Sequence, residues 1–298
     1  DDERLKINTL IAGGVANRNP EIASTVQKYA SSIGDALQNL VVVVDPLVED
    51  VVGKEARVAV DNMVKRRGSQ DENNLNINST YTVITGNYGL QYDPYNNVNR
   101  WVSLSGDMAG LMAQADNRAN PAQSPAGADF GVIQNKYKLA INPNKTLRDK
   151  LTTVSINPVI SLEEGSGFMF YADLTATYEQ SHYDHINNRR VANYIKELFE
   201  DLGAGMLFKN NTQFTRLQFK TTGDAILRNL SGNTIEFGRV WCDERNNPDD
   251  VVFRKEFVAT IYYKPYNSIN YVLLNFVSVE SGTQIEEDVV RQDQLPKF

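Results

Sequence analysis

Both histidines of the 298-residue chain lie in one short segment, Ser181–His185. His182, Asp184 and His185 together offer two imidazoles and a carboxylate, a ligand set that zinc and other transition metals accept. The segment is predicted to be a loop just before a helix, and no cysteine or second ligand cluster lies near it in sequence. The pattern therefore favours a solvated loop over a metal site, with a metal-dependent hydrolase using these three residues as an alternative.

Other catalytic patterns are weaker. Gly13-Gly14 follows a predicted strand, but the spaced glycines and the acidic residue of a dinucleotide-binding turn are missing. Walker A, nucleophile-elbow, kinase and zincin motifs do not occur. Cys242, beside Trp241 in an apolar run, is expected to be a small buried hydrophobe. We predict a protein that is not an enzyme, with no catalytic residues, no cofactor, no bound metal and no small-molecule substrate.

Arg189 and Arg190 fall in the first turn of the most strongly amphipathic predicted helix. Cations there oppose the helix dipole, at a cost of about 0.3–1 kcal/mol each unless partners offset it. Two explanations stay open: an intrachain pair with Asp184 or with a carboxylate of another strand, or a contact with a neighbouring subunit.

The segment Gly205–Leu230 is basic, although the whole chain has a formal charge of -7. Its only acidic residue is Asp224. Its four basic residues are Lys209, Arg216, Lys220 and Arg228. They form either a solvated helix face or a docking face for an acidic partner. With Arg189 and Arg190, these four are the candidate protein-interface residues.

The overall composition excludes several classes of protein. A pI near 5.0 argues against direct binding of nucleic acid, which needs basic groups to displace counterions from phosphates. No run of about 18 apolar residues is present, so no membrane-spanning helix is predicted. One cysteine rules out an internal disulfide framework and favours a reducing compartment.

Strand and helix patterns alternate along the chain, which predicts an α/β fold with parallel pairing near the N-terminus. The predicted strands are Leu5–Ala12, Leu40–Val44 (buried on both faces), Tyr81–Thr85, Val98–Leu104, a hairpin of Ile156–Leu162 with Phe168–Asp173, Phe237–Cys242, Val251–Tyr263 and Asn270–Val279.

The predicted helices have recognisable starts and periodic apolar residues. They are one capped by Asn19 with Ile22, Val26, Tyr29, Ile33 and Leu37 at helical spacing, one over Ala56–Val64, a short one over Met108–Ala115, one capped by Asn187 and ended by Gly203 and Gly205, and one over Thr212–Leu230. Residues 119–131 are predicted to be an irregular excursion.

Several local patterns, taken in order, resemble the contractile tail sheath proteins of myovirus-type phages. The resemblance covers residues 80 to 279 and extends more loosely over residues 5–65. The matching residues are Ser105-Gly106, Ala113, Asp116, Arg118, Ser124–Gly127, Leu151, Ile156–Val159, Asn187, Arg189, Arg190, Tyr194, Ile195, Phe208–Asn211, Cys242-Asp243, Asn246-Asn247 and Ile261–Pro265. The chain departs from the family pattern at Tyr171, Ala172, Leu174 and at Lys209-Asn210, which suggests a distant branch.

The resemblance implies a mixed α+β fold with central mixed sheets flanked by helices, a tail-sheath-like core. It also implies three regions: an N-terminal α/β segment at 1–80 packing on the core, a core at 81–279 with a C-terminal α/β domain, and an acidic tail or partial arm at 280–298. Because the family's extended terminal arms are not evident, we expect a fragment lacking them.

The function implied by the resemblance is mechanical. Copies would polymerise around an inner tube and contract, driving the tube through the host envelope for genome ejection. The implied partners are other copies in a helical or stacked-ring array, the tail tube protein and the baseplate. The implied location is the virion tail, after assembly in the host cytoplasm. A baseplate or adaptor protein of the same machine is the alternative.

Overall fold

The structure is a computed structural model that describes residues 6–17, 19–68, 73–161 and 167–268. Within these ranges the helices are α1 (Pro20–Leu37), α2 (Val48–Val51), α3 (Ala56–Arg67), α4 (Ser105–Arg118), α5 (Gly127–Phe130), α6 (Lys145–Thr153), α7 (Ile186–Ala204), α8 (Gln213–Leu230) and α9 (Asp249–Phe253). The strands are β1 (Thr9–Ile11), β2 (Val41–Val44), β3 (Thr82–Ile84), β4 (Tyr88–Asp93), β5 (Val98–Ser103), β6 (Val132–Ile133), β7 (Lys138–Leu139), β8 (Val159–Ser161), β9 (Phe168–Phe170), β10 (Ile235–Trp241) and β11 (Thr260–Pro265).

Strand β2 is the centre of a parallel sheet with the order β1-β2-β3. All four of its residues are buried. Val42 and Val44 join a core with residues of α1 and α3, while Val41 and Val43 join a second core with α4. The prediction of a strand buried on both faces in parallel pairing is confirmed.

The remaining strands form antiparallel sheets. Two have three strands each, in the orders β5-β4-β7 and β6-β9-β8. The pairing of β8 with β9 confirms the predicted hairpin, although its turn at 162–166 lies outside the described residues. Strands β10 and β11 form a two-stranded sheet that packs with α7 and α8 around a third core. The prediction of a mixed α/β fold is confirmed.

The predicted strand over Val251–Tyr263 is wrong in its first part. Residues Asp249–Phe253 form helix α9, and the strand begins only at Thr260. Asp249 and Asp250 occupy the first turn of α9, where carboxylates interact favourably with the helix dipole. This local preference outweighs the β-branched character of Val251 and Val252. The predicted short helix at Met108–Ala115 is longer than expected and includes Ser105 and Arg118.

The described elements belong to one compact unit, Asp1–Asn267. Strand β3, which follows residue 80, completes the sheet that β1 and β2 begin. The division at residues 80 and 81 and the acidic tail at 280–298 stay predictions. That tail and the predicted strand Asn270–Val279 lie outside the described residues.

Among the described helices, none combines the length and the apolar character needed to cross a bilayer.

Candidate functional site

Helix α7 begins two residues earlier than its sequence pattern predicts. The cap residue is His185, in an extended conformation, so the prediction of Asn187 as the cap is wrong. The amide of Ile186 donates to the carbonyl of Asp173 at 2.7 Å, which aligns residues 185 and 186 with the neighbouring segment. Asn187 lies inside the first turn and is buried, with Nδ2 donating to the carbonyl of Ala122 at 3.1 Å.

Arg190 is buried and ties α7 to α4 and to the segment after it. Its guanidinium pairs with the carboxylate of Asp116 and donates to the carbonyls of Met112 at 2.8 Å and Gln123 at 3.3 Å. Burial lowers the pKa of Arg190, and the charge of Asp116 opposes that shift. The dipole cost at the start of α7 is therefore offset by one carboxylate and two carbonyls.

Arg189 is also buried, and it lies between two aromatic rings. Its guanidinium carbon is 4.1 Å from the ring centre of Tyr81 and 4.0 Å from that of Tyr183. Nη2 donates to Oγ1 of Thr80 at 2.6 Å. Burial lowers the pKa of Arg189, and the nearby tyrosines oppose the shift. The stacking joins the start of α7 to the chain just before β3.

The contacts of both arginines are therefore within this chain. Asp184, the predicted partner, does not fill that role and lies 3.7 Å from Nε2 of His185 instead. The carboxylate that pairs with Arg190 comes from a helix, because α4 runs beside the start of α7. A role for either arginine in a subunit contact stays a prediction.

His185 forms a second tie at the start of α7. Its Nδ1 is 2.9 Å from Oδ1 of Asp173, and Oδ2 of Asp173 accepts a hydrogen bond from Ser124 at 2.7 Å. The hydrogen bond with Asp173 raises the pKa of His185, burial opposes the shift, and the charges of Asp173 and Asp184 add to it. Protonation of this imidazole therefore favours the folded arrangement.

The three residues considered as alternative metal ligands do not converge. His182 is exposed, whereas His185 is directed to Asp173. In the described part of the chain, no group of three or more histidine, cysteine or carboxylate side chains is arranged to hold a metal ion. Cys242 is buried, as predicted, and burial raises the pKa of its thiol.

The four basic residues between 205 and 230 do not form one uniform face. Lys209, in the turn between α7 and α8, and Arg228, near the end of α8, are exposed. Arg216 is half-buried and donates to the carbonyl of Asn247 at 3.3 Å. Lys220 is also half-buried. The charge available to a partner is therefore concentrated on Lys209 and Arg228.

Exposed apolar side chains surround the same turn, and sequence reasoning missed them. Phe208 is fully exposed and adopts a positive φ of 64°. Leu207, Phe214 and Leu217 are also exposed. Phe208 and Lys209 thus stand together at the tip of the α7–α8 turn. Large apolar residues in a segment otherwise rich in Asn, Gln and Thr were the available signal.

Sequence reasoning also missed two buried charged residues. Arg67 donates to the carbonyls of Val154, Leu75 and Ala176, at 2.7 to 3.1 Å. Burial lowers its pKa to about 10. Asp45 is fully buried, accepts hydrogen bonds from Thr85 at 2.7 Å and the amide of Ser105 at 2.9 Å, and has its pKa raised by burial. Nothing in their local sequence separates them from surface charges.

Two family models match the chain, one after the other. The phage tail sheath protein central domain matches residues 3–176, and the phage tail sheath C-terminal domain matches residues 179–278. The tail sheath protein of Vibrio phage KVP40 is 44% identical over 297 residues, which cover 96% of this chain and 44% of that protein. The tail sheath protein of Enterobacteria phage T4 is 45% identical over 291 residues, with the same two coverages. The chain thus spans less than half the length of these curated relatives.

Solved structures share the fold at low sequence identity. A chain of the anti-feeding prophage baseplate superposes with a TM-score of 0.69 at 15% identity, over 87% of this chain and 66% of that one. The helical sheath of the anti-feeding prophage in its contracted state superposes with a TM-score of 0.65 at 15% identity, over 86% of this chain and 66% of that one. The sheath complex of an extracellular contractile injection system, also contracted, superposes with a TM-score of 0.65 at 15% identity, over 83% of this chain and 67% of that one.

Replacing Arg189 by lysine should destabilise the protein although the charge is kept. An ammonium cannot stack flat on Tyr81 and Tyr183, so we expect a loss of about 1–2 kcal/mol in the free energy of unfolding. Urea titration followed by circular dichroism measures it. The matched control is Arg228→Lys on the exposed face of α8, which should change stability by less than about 0.5 kcal/mol. Equal stability of the two variants would contradict a structural role for the stacking.

Stability should also depend on the protonation of His185. Because the folded state raises the pKa of His185 above its ordinary 6.5, the stabilisation is fully present below that pH. It is lost as the pH rises through the folded-state pKa. The free energy of unfolding of the parent, measured relative to His185→Gln, should therefore fall as the pH rises above about 6.5. The control His182→Gln, at the exposed histidine, should keep the parent's pH profile. A pH-independent difference between parent and His185→Gln would refute this account.

Proposed function

The chain belongs to the phage tail sheath protein family, as its sequence resemblance predicted, and we propose that it is a structural subunit of a contractile tail sheath. The observation that carries the proposal is the ordered match of both sheath domains along nearly the whole chain, from residue 3 to residue 278. The subunit would polymerise around an inner tube and contract to drive that tube through the host envelope. The family match agrees with the prediction of a structural protein rather than an enzyme.

The side-chain contacts at the start of α7 support the proposal that the subunit transmits force. The two matched family domains meet between residues 176 and 179, a few residues before α7. Arg189 and Arg190 reach back from the second domain to Tyr81 and Asp116 in the first. Each guanidinium makes several contacts across this junction, and separating the domains would break all of them together. The two domains would therefore move together when subunits rearrange.

Other copies of this chain are the first proposed partner, arranged in a helical or stacked-ring array. The tail tube protein and the baseplate are further proposed partners, and the virion tail is the proposed location after assembly in the host cytoplasm. Mechanical work of this kind needs no cofactor and no bound substrate. It comes from the difference in contact energy between two arrangements of the same subunits.

The α7–α8 turn and the exposed side of α8 are the proposed contact with the tube. Lys209 and Arg228 are positive and exposed on a protein of net charge -7. An acidic tube surface would attract this region while the rest of the subunit is repelled, which sets the orientation of the subunit. Phe208 and Leu207 beside Lys209 would add apolar contact area at the same place.

Gold-labelled antibodies against this chain should decorate the tails of virions that encode it. We expect label along the whole tail in electron micrographs, in both extended and contracted particles. Label restricted to the distal end would favour a baseplate or adaptor protein instead. Purified virions without tail label would rule out both readings.

Reversing the exposed basic charges should weaken binding to the tube. For Lys209→Glu with Arg228→Glu, we expect a several-fold lower fraction bound in co-sedimentation with polymerised tail tubes, because each exposed pair contributes about 0.2–1 kcal/mol. Added salt should weaken the parent's binding in the same direction. The matched control is Lys138→Glu with Lys145→Glu, two exposed lysines of β7 and α6, which should bind as the parent does. If the first pair binds as tightly as this control, the tube contact lies elsewhere.

A further inference from the structure

Helix α1 has its apolar stripe on the outside. Five large apolar residues at helical spacing, which we call the α1 stripe, are Ile22, Val26, Tyr29, Ile33 and Leu37. Such a stripe normally faces the core of a protein. Here Ile22 is 56% exposed and Tyr29 is 69% exposed, and Val26 and Leu37 are exposed as well. The face of α1 that is buried consists of small and polar residues: Ala23, Ser24, Gln27, Ala30, Ser31 and Gly34.

The helix cannot rotate to bury the α1 stripe. Gln27 donates to the carbonyl of Asp45 at 2.9 Å, Ser31 is 2.8 Å from Thr82 Oγ1, and Ser24 donates to the carbonyl of Asn73 at 2.7 Å. Gly34 lies against β2 so closely that a Cβ there would be 2.9 Å from a methyl group of Val42. Hydrogen bonds and close packing together fix which side of α1 faces outward.

Single exposed apolar residues are common, but an aligned row of four exposed residues with a partly exposed fifth, Ile33, is not. At 1.5 Å per residue, the α1 stripe runs for roughly 22 Å along the helix. It contains no charged residue. The charged residues of α1 are Glu21, Lys28 and Asp35, which lie about 100–140° around the helix from Ile22. The α1 stripe is thus a continuous uncharged ridge.

We propose that the α1 stripe is a docking ridge for a second copy of this chain, in contact with a different surface of that copy. The net charge of the chain favours a second copy as the partner on this ridge. Copies with a net charge of -7 repel each other, so their contacts form best where no charge must be buried. The acidic tube surface proposed above would instead select the basic residues near α8. An open helical array also requires two different surfaces in each contact, because a self-matched contact closes into a dimer.

This inference rests on the proposed function only in assuming that copies assemble. The ridge is smaller than a standard interface, which buries about 800 Å² per partner. Association through the α1 stripe alone is therefore weak, and it becomes effective only when repeated along an array.

Sedimentation velocity of the full chain over a roughly hundredfold range of concentration tests the proposal. We expect the average mass of the parent to rise with concentration. Tyr29→Glu and Ile22→Glu should each weaken the association at least about tenfold. Circular dichroism and thermal midpoint should stay at the parent values, because both side chains are exposed. The matched control Ser32→Glu adds the same charge to the same helix, about 80° around from Ile22, and should associate more strongly than either stripe variant.

Crosslinking identifies the occupant. A Tyr29→Cys variant can be labelled with a benzophenone maleimide, since Cys242 is buried. In a mixture of unlabelled and nitrogen-15-labelled chains, we expect mixed-isotope crosslinks from position 29 to a surface other than α1. Crosslinks only within one chain, or a parent that stays monomeric at every concentration, would overturn the proposal. The proposed function and the proposed tube contact would still be tested separately, by the tail labelling and by the tube co-sedimentation, because neither experiment changes the α1 stripe.

Discussion

Buried side chains supply the hydrogen bonds that strands this short cannot provide. Several strands contain only three residues, so many buried carbonyls and amides near their ends have no ladder partner. Asn157 donates from Nδ2 to the carbonyls of Ile84 and Leu174, and its Oδ1 accepts from the amide of Leu174. Asn87 bonds in the same way to Ile141 and to the carbonyl of Val159. Leaving such a buried group without a hydrogen bond costs about 1–3 kcal/mol. The side-chain amides of Asn87 and Asn157 therefore stabilise the packing of one sheet against the next.

The start of α7 extends the same network across the join between the two sheath domains. Asn157 holds Leu174, whose neighbour Asp173 accepts from both Ser124 and the amide of Ile186. Arg189 and Arg190, both buried, then extend from the first turn of the helix to Tyr81 and Asp116. A helix start that would be unfavourable in isolation becomes a junction, because aromatic rings enclose the guanidinium of Arg189 and acceptors surround that of Arg190. Such a junction suits the proposed sheath subunit, whose two domains would shift together.

The exposed surfaces divide by charge. The outer ridge of α1 is apolar and uncharged, while the α7–α8 turn combines Phe208 with Lys209. In the proposed sheath, like-charged copies and an oppositely charged tube would require different surfaces on the subunit. A neutral ridge suits the first partner and a basic turn suits the second. Separating the two surfaces would allow contacts between copies to change during contraction without changing the tube contact.

Local sequence patterns were sufficient for most of the elements. The cap at Asn19, the buried strand of valines, the β8–β9 hairpin and helix α8 were all predictable, because caps, β-branched runs and turn residues act over a few neighbours. The order of short motifs also identified the family. Element type was misjudged at α9, where two carboxylates after a proline favour a helix and the valines favour a strand.

Only the tertiary structure decided which face of each element is covered and which charges are inside. The pattern of α1 predicts a buried stripe, yet Gly34 and three hydrogen-bonding side chains pack the opposite face on the sheet. Arg67 and Arg189 resemble surface arginines in sequence, but each is enclosed with the help of residues more than 80 positions away: the carbonyls of Val154 and Ala176 for Arg67, and the ring of Tyr81 for Arg189. Periodicity records which residues share a face, but burial depends on the partners that distant segments bring to it. For that reason the sequence by itself determined the elements and the family, and the packing alone decided the junction and the exposed ridge.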